Sequence, residues 1–170
     1  MKPGLGALLG LALLLAAPAC GYRVVRPDVG GGRAVEVPTT RNDTIWYGLE
    51  VGMSSALRAD LQRQLDLRLV EAGGAFVLET TMSEVGRRAR VALRSGGAAV
   101  GTAELELEWR LRRADGEVLG EGRIRRSLEF LTALDETIDS SFTQIQAEMA
   151  EEVALEVGAS LAGLPADDTP

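Results

Sequence analysis

The sequence predicts an α+β domain, and two kinds of periodicity carry that expectation. Between Thr102 and Phe130, apolar and charged residues alternate with period two, which marks strands with one buried and one solvated face. Leu49, Met53, Ala56, Leu57, Leu61 and Leu65 recur instead at helical spacing, as do Phe142, Ile145, Met149, Val153 and Val157. Each helical stripe needs an apolar surface to cover, and the buried face of the strands is that surface. The chain beyond Ala19, roughly 150 residues, suffices for one domain with a sizeable core.

The N-terminal segment is of another kind. Lys2 is followed by an apolar run from Leu5 to Ala17, then by Ala17-Pro18-Ala19-Cys20, which holds the only cysteine. A charged start, a short apolar segment and small residues before a cut make up an export signal. The run is about thirteen residues against roughly twenty for a membrane-spanning helix, so it reads as a cleaved segment and not an anchor. Ala17-Pro18-Ala19-Cys20 resembles a bacterial lipobox, in which the cysteine thiol receives a diacylglyceryl group and the freed amine is acylated. Ala-Pro-Ala also satisfies the rule for ordinary secretion, but a lone cysteine at the cut of an exported chain needs a use. Residues 1–19 are thus expected to be a lipoprotein signal peptide, with Cys20 as lipidation site and first mature residue. Residues 20–33 form a lipidated leader, 34–164 a single domain and 165–170 a tail. Several acyl chains together make a stable anchor where one is marginal.

Composition removes most enzyme classes. The net charge is −7, and loss of Lys2 makes it −8 and leaves Arg as the only cation. With no His, no other Lys and Cys20 committed to lipid, the usual bases, nucleophiles and ligands of serine, cysteine and zinc chemistry are missing. Carboxylate-only chemistry stays open, yet no Asp/Glu pair has a spacing that singles it out. The glycine stretches at 30–32 and 96–101 lack G-x-G-x-x-G and open no helix, so they read as a linker and a turn. An acidic chain with scattered Arg also argues against nucleic acid as a partner. The expectation is a non-enzyme with no metal and no cofactor beyond a covalent lipid on Cys20.

Along the chain, Ala34-Val35-Glu36-Val37 reads as a short strand stopped by Pro38, and Thr39 to Thr44 as polar turn material. The first helix runs from about Leu49 to Leu65, with Arg58, Asp60, Gln62 and Arg63 opposite its apolar stripe. Leu67 to Val70 is the candidate for a further short strand before the Gly73-Gly74 break. A long extended stretch then spans Ala75 to about Leu93. Phe76, Leu78, Thr80 and Met82 share one parity in it, whereas Val85, Ala89, Val91 and Leu93 share the other. A slip of one residue exchanges the two faces of a strand, so a bulge near Gly86 reconciles both sets. Past that bulge Arg88, Arg90 and Arg94 fall opposite the apolar set.

The next hairpin has a readable register. Ala103, Leu105, Leu107, Trp109 and Leu111 alternate with Glu104, Glu106, Glu108, Arg110 and Arg112. Asp115-Gly116 is a strong two-residue turn signal. With those two as the loop, Arg110 falls opposite Glu121, Glu108 opposite Arg123, Glu106 opposite Arg125, Leu107 opposite Ile124 and Trp109 opposite Gly122. Each charge pair is worth ~0.2 to 1 kcal/mol, enough to select a register and too little to hold a fold. The final helix comes after a polar stretch, with Asp139 or Ser140 as expected N-cap and Glu148, Glu151, Glu152 and Glu156 solvated, and it ends near Gly163 and Pro165.

An export signal with Cys20-Gly21-Tyr22-Arg23, a strand ending in Pro38, then Asn42-Asp43-Thr44 and a helix opening at Gly48-Leu49-Glu50 resembles the LptE family. The C-terminal pattern is similar to that family as well: Val77-Leu78-Glu79, a long two-stranded excursion, a hairpin around Asp115-Gly116-Glu117 and a closing acidic helix. The resemblance spans roughly Cys20 to Leu164, and its specificity lies in the order of short motifs. It implies a two-layer sandwich of two helices packed on one face of a mostly antiparallel four-stranded sheet. It also implies a lipopolysaccharide-assembly lipoprotein of the Gram-negative outer membrane, plugging the LptD β-barrel and in contact with lipopolysaccharide. Gly21 after the cysteine, where Asp signals inner-membrane retention, favours the outer membrane. The chain departs from the usual pattern at Gly30-Gly31-Gly32, at Thr39-Thr40-Arg41 and in its lack of Lys.

Arg87, Arg88, Arg90 and Arg94 are the candidate binding residues for lipopolysaccharide or the barrel. Their planar, always charged guanidinium groups suit phosphate, and they are clustered on an otherwise acidic protein. A different functional class shares part of the pattern. LpoB-like lipoproteins, which regulate a peptidoglycan synthase, also carry a strand followed by Asn-x-Thr and a helix.

Overall fold

After a 3-10 turn at Pro27–Gly30 the elements are β1 (Arg33–Glu36), β2 (Arg41–Asn42), α1 (Leu49–Gln64), β3 (Leu67–Val70), β4 (Phe76–Ala92), β5 (Ala98–Arg113), β6 (Val118–Leu131) and α2 (Ile138–Leu161). The computed structural model describes the backbone of residues 27–92, 98–131 and 138–164, and side chains from residue 29 within them except 84–99 and 130–138. All strands join one sheet in the order β3-β1-β4-β5-β6, with β2 also paired to β4.

The sheet is six-stranded and mixed, which corrects the expected four-stranded, mostly antiparallel one. β4, β5 and β6 are antiparallel, whereas β1 runs parallel to both β3 and β4 and β2 runs parallel to β4. Two causes lie behind the difference. First, α1 carries the chain back along the sheet before β3, and a strand that re-enters after such a crossover lies parallel to the one before it. Second, β1 and β2 are one line of chain interrupted at Pro38, which has no N–H to give a ladder. Val35 and Glu36 pair with Phe76 and Val77, and pairing resumes with Arg41 opposite Thr81. Beyond β3 the chain crosses β1 at Gly74, where a Cβ would sit 2.6 Å from the Glu36 nitrogen, so only glycine passes.

The core lies between one face of the sheet and both helices. β5 contributes Ala103, Leu105, Leu107, Trp109 and Leu111, β4 contributes Phe76, Leu78 and Met82, and β6 contributes Ile124. Met53, Leu57 and Leu61 of α1 and Phe142, Ile145, Met149, Val153 and Val157 of α2 close over them. At ~1.5 to 3 kcal/mol for each fully buried large apolar side chain, this face is the main favourable term of the fold. Helix α2 begins at Ile138, so Asp139 and Ser140 lie inside its first turn and neither is the N-cap expected from sequence.

The β5–β6 register matches expectation through two compensating departures. Arg110 faces Glu121, Glu108 faces Arg123, Glu106 faces Arg125, Leu107 faces Ile124 and Trp109 faces Gly122. The loop itself is not the two-residue Asp115-Gly116 turn. Gly116 N–H donates to the Arg113 carbonyl at 2.9 Å and Arg113 N–H to the Glu117 carbonyl at 2.8 Å, which makes a three-residue loop with Gly116 at φ 97°. A left-handed third residue is what that loop type requires, and glycine supplies it. The loop shifts the register by one, and the irregularity after Leu111, where Gly120 and then Val118 are the partners, shifts it back. The expected bulge near Gly86 is present, with Val85 as the extra residue between the Glu84 and Gly86 pairs.

Trp109 shows why β6 carries glycines. It is 5 % exposed, and its indole N–H donates to Glu156 Oε2 on α2 at 2.7 Å. A Cβ at Gly122 would lie 2.6 Å from Trp109 Nε1, so the indole occupies the space that a side chain on β6 would take. Trp109→Ala empties that space and is expected to cost ~3 to 5 kcal/mol, measured as unfolding free energy by denaturant titration. A loss below about 1 kcal/mol would mean that the indole is not packed between α2 and β6.

Candidate functional site: a pinned turn and an arginine-bearing strand

The turn from β2 into α1 is built on Asn42. Its side-chain amide donates to the Trp46 carbonyl and to Glu50 Oε2, both at 2.7 Å. Its Oδ1 accepts from the Thr44 N–H at 3.0 Å and the Thr44 hydroxyl at 2.7 Å. Thr44 Oγ1 in turn accepts the Trp46 N–H at 3.1 Å. A short polar side chain that satisfies backbone groups two and four residues on holds the chain in a fixed turn, so the polar composition of 39–44 is structural in origin. Trp46 is held at both its N–H and its carbonyl, and its ring meets Phe142 of α2 edge-on at 5.5 Å.

The start of α1 depends on the same group. Gly48 is the N-cap at φ 88°, a left-handed conformation open to glycine, and no side chain caps it from that position. Glu50 instead reaches back from the first turn and accepts the Gly48 N–H at 3.1 Å. A carboxylate here also meets the positive end of the helix. Its own backbone N–H and then the Asn42 amide hold the Glu50 carboxyl below the ordinary 4.5; burial opposes them, and the Gly48 N–H adds the least. Beneath the turn, Thr40 N–H donates to Ser54 Oγ at 2.8 Å and Thr40 Oγ1 meets Thr80 Oγ1 at 2.9 Å.

The outward result of this turn is apolar. Ile45 is 73 % exposed, Tyr47 fully exposed and Val51 64 % exposed. Sequence reasoning singles out Asn42-Asp43-Thr44 and Gly48-Leu49-Glu50 as motifs but not the exposed residues between them. The signal is there: Asn-x-Thr followed by Gly-x-Glu pins Trp46 inward, and Ile45 and Tyr47 on either side of it are left outward.

The sheet face away from the helices is a field of paired charges. Arg110 meets Glu121 at 3.0 Å, Arg112 meets Glu79 at 2.7 Å, Arg125 meets Glu106 at 2.6 Å, and Arg123 contacts Glu108. Hydrogen bonding to Glu79 and to Glu106 raises the Arg112 and Arg125 guanidinium groups above their ordinary value. A shallow depression on this face is lined by Glu79, Thr81, Glu108, Arg110, Glu121 and Arg123. Its three carboxylates are each paired with an Arg, Glu79 with Arg112 from outside the lining, so no charge in it is left without a counter-ion. Among the described residues, no group of three or more His, Cys, Asp or Glu is placed to hold a metal, and no helix is long and apolar enough to cross a membrane.

The candidate arginines lie further along the sheet. Arg87, Arg88 and Arg90 are on β4, with their side chains outside the described set, and Arg94 and Cys20 lie outside the described residues. Arg87 is across from Ala103 and Arg88 from Thr102, while Arg90 is the extra residue between the pairs Ala89–Gly101 and Val91–Val100. This second irregularity of the β4–β5 pairing falls at Arg90 itself. On β5 and β6 the arginines at 110, 123 and 125 stand directly across from a Glu. Arg87 and Arg88 have no acid as cross-strand neighbour on β5.

Comparison with known proteins agrees with this architecture. The family described as LptE, lipopolysaccharide-assembly, matches residues 32–160. The chain therefore belongs to the LptE family of lipopolysaccharide-assembly proteins. Among solved structures it is similar to the uncharacterized lipoprotein B of Nitrosomonas europaea, with TM-score 0.56 and 15 % identity over 84 % of this chain and 94 % of that one. It is also similar to a PelC dodecamer from Paraburkholderia phytofirmans, with TM-score 0.50 and 15 % identity over 78 % of this chain and 93 % of that one. At such identities the likeness establishes a shared fold. No curated protein matches the chain significantly.

Glu50 makes the turn sensitive to acid. A carboxyl held below 4.5 in the folded state stabilises the fold above that value, and the contribution disappears as pH falls through the lowered folded value. Asn42→Ala removes one cause of the shift and is expected to move the Glu50 carboxyl upward in a carbon-13 NMR titration. Loss of the Asn42 hydrogen bonds is also expected to cost ~1 to 3 kcal/mol of stability at neutral pH. An unchanged Glu50 titration in that variant would show that Asn42 does not set the ionisation.

Proposed function

We propose that the protein is a lipoprotein anchored through Cys20 in the outer membrane, where it seats in the LptD β-barrel and presents the β4 arginines to the phosphorylated sugars of lipopolysaccharide. The role is one of binding and assembly, without catalysis. Membership of the LptE family is the observation that carries this reading.

The arrangement of the chain supports it. Gly32 N–H donates to the Asp66 carbonyl at 2.8 Å, so the chain entering the domain lies at the end of the sheet where β3 begins, near the start of β4. Cys20 precedes Pro27 by seven residues, which reach at most ~25 Å. Strand β4 has 17 residues and runs ~56 Å away from that end. The arginines at 87–90 lie 11 to 14 residues beyond Phe76, ~36 to 46 Å along β4 from the end at which the chain enters the domain, a separation that suits a plug tethered at its N-terminus and reaching into a barrel. The register adds a second support. Arginines 110, 123 and 125 stand across from Glu, whereas Arg87 and Arg88 have Ala103 and Thr102 across from them on β5, a register that suits a role toward an external anion.

Two experiments test this reading. Cys20→Ser is expected to abolish incorporation of labelled fatty acid and to release the protein from membranes, and labelling that survives would refute the anchor. Changing Arg88 and Arg90 together to Glu is expected to leave the circular dichroism spectrum and lipidation intact. The same variant should bind lipopolysaccharide or LptD at least ~10-fold more weakly, the loss expected when charge-assisted contacts become repulsive. Parent-strength binding of both would remove the arginines from the site.

A further inference from the structure

Three of the five large apolar side chains that stand exposed among the described residues, Ile45, Tyr47 and Val51, fall within the turn that leads into α1 and its first helical turn. Single exposed apolar residues are ordinary on a protein surface, but a concentration of them at one junction is not. Nor is the junction a slack loop. Asn42 and Thr44 hold the Trp46 backbone on both sides, the Trp46 ring rests against Phe142, and Gln146 Nε2 donates to the Leu49 carbonyl at 2.8 Å. The fold thus devotes a buried ring contact and a network of hydrogen bonds to fixing the backbone that carries Ile45 and Tyr47. Side chains on a fixed backbone lose little freedom on binding, and Tyr is among the residues most often found at the centres of protein interfaces.

The surroundings decide between occupants. Arg41 is engaged by Asp43 at 2.9 Å, and Glu50 is a carboxylate bound by Asn42. The charges flanking the turn therefore sum to an acidic rim with its single Arg already paired. Segments that insert into lipid surfaces combine apolar residues with Lys and Arg that meet anionic headgroups, and an acidic rim opposes that contact. Two copies of the turn placed face to face would bring their Glu50 carboxylates together. A protein pocket with an apolar floor and hydrogen-bond donors at its edge fits all three features: Ile45 and Val51 fill the floor, the Tyr47 hydroxyl needs a polar partner at depth, and Glu50 and Asp43 accept from the edge.

We infer that Ile45, Tyr47 and Val51, presented by the Asn42-pinned turn, form a preorganised docking knob that inserts into an apolar, donor-rimmed pocket on the barrel partner. The inference rests on the barrel partnership proposed above and adds the place at which the barrel grips the domain. The knob is separate from the β4 arginines. Asn42 pairs with β4 at Met82, before the Val85 bulge that precedes them.

The test uses the full-length lipidated protein co-expressed with LptD. Ile45→Ser combined with Tyr47→Ser changes two exposed side chains, so the melting temperature should stay at the parent value. Recovery of LptD with the double variant should fall at least ~10-fold, the usual scale for removing a central anchor. A photoreactive phenylalanine analogue at position 47 should crosslink to LptD. Crosslinking to phospholipid or to a second copy of the chain would overturn the knob, and so would LptD recovery equal to the parent. If the parent itself recovers no LptD, the barrel reading fails and the knob with it. Recovery by the parent with equal recovery by the double variant sinks the knob alone.

Discussion

Burial of one face of β5 constrains most of the rest of the structure. Leu105, Leu107 and Leu111 are fully buried and Trp109 nearly so, and they lie on a strand paired on both sides. A strand in that position cannot turn its apolar face away from water by itself, so a helix layer has to cover it. Helix α2 does, with α1 packed beside it, and the indole of Trp109 then determines what β6 contains. Gly122 makes room for the ring, and Glu156 on α2 accepts its N–H. Gly120 leaves space beside Ser160 in the same way. Burial on one face also consigns Glu104, Glu106, Glu108, Arg110 and Arg112 to the other, where their partners on β4 and β6 neutralise them.

Length then separates the part of the sheet that is core from the part that reaches beyond it. Helix α1 has 16 residues and α2 has 24, about 24 Å and 36 Å at 1.5 Å per residue, whereas the 17 residues of β4 extend ~56 Å. The two-layer sandwich therefore cannot continue along the whole of β4 and β5. Their pairing turns irregular after Glu84, with shifts at Val85 and Arg90. Bulges add twist and break strict alternation, which suits a strand pair no longer obliged to present one apolar face to a helix. It is also in this part of β4 that arginines stand without a Glu across from them.

The hairpin was legible in the sequence because its information is local. Alternation, a glycine suited to a tight turn and complementary charges all lie within thirty residues or so of one another. Even its loop, three residues where two were expected, left the register intact because the irregularity after Leu111 absorbs the difference. Both helices and the Val85 bulge were legible for the same reason, since each is written in the period of its own apolar residues. β1 and β3 were legible as strands, but their parallel pairing was not, nor was β2. β2 is two residues long, polar, and strand-like only because Thr81 and Met82 of β4 lie beside it, and nothing in Arg41-Asn42 announces that partner. Propensity gives way to tertiary pairing at such positions. The Asn42 turn was visible as a motif, but its task became clear only with Trp46 and Glu50 placed around it.

That task explains why the motif has the spacing it has. The chain must leave β2 along the sheet and enter α1 running back over it, and the reversal occupies Asp43 to Gly48. Asn42 is the last residue of the strand and Glu50 lies in the first turn of the helix, so a hydrogen bond between the two closes the reversal at its base. Gly48 is the one residue in between whose φ lies in the left-handed region, and it turns the backbone into the helix. Trp46, midway, is drawn inward to Phe142, and the residues on either side of it are thereby directed outward. A turn closed at its base and anchored at its middle can expose only its shoulders. Ile45 and Tyr47 are those shoulders, so their exposure is set by the same hydrogen bonds that start α1.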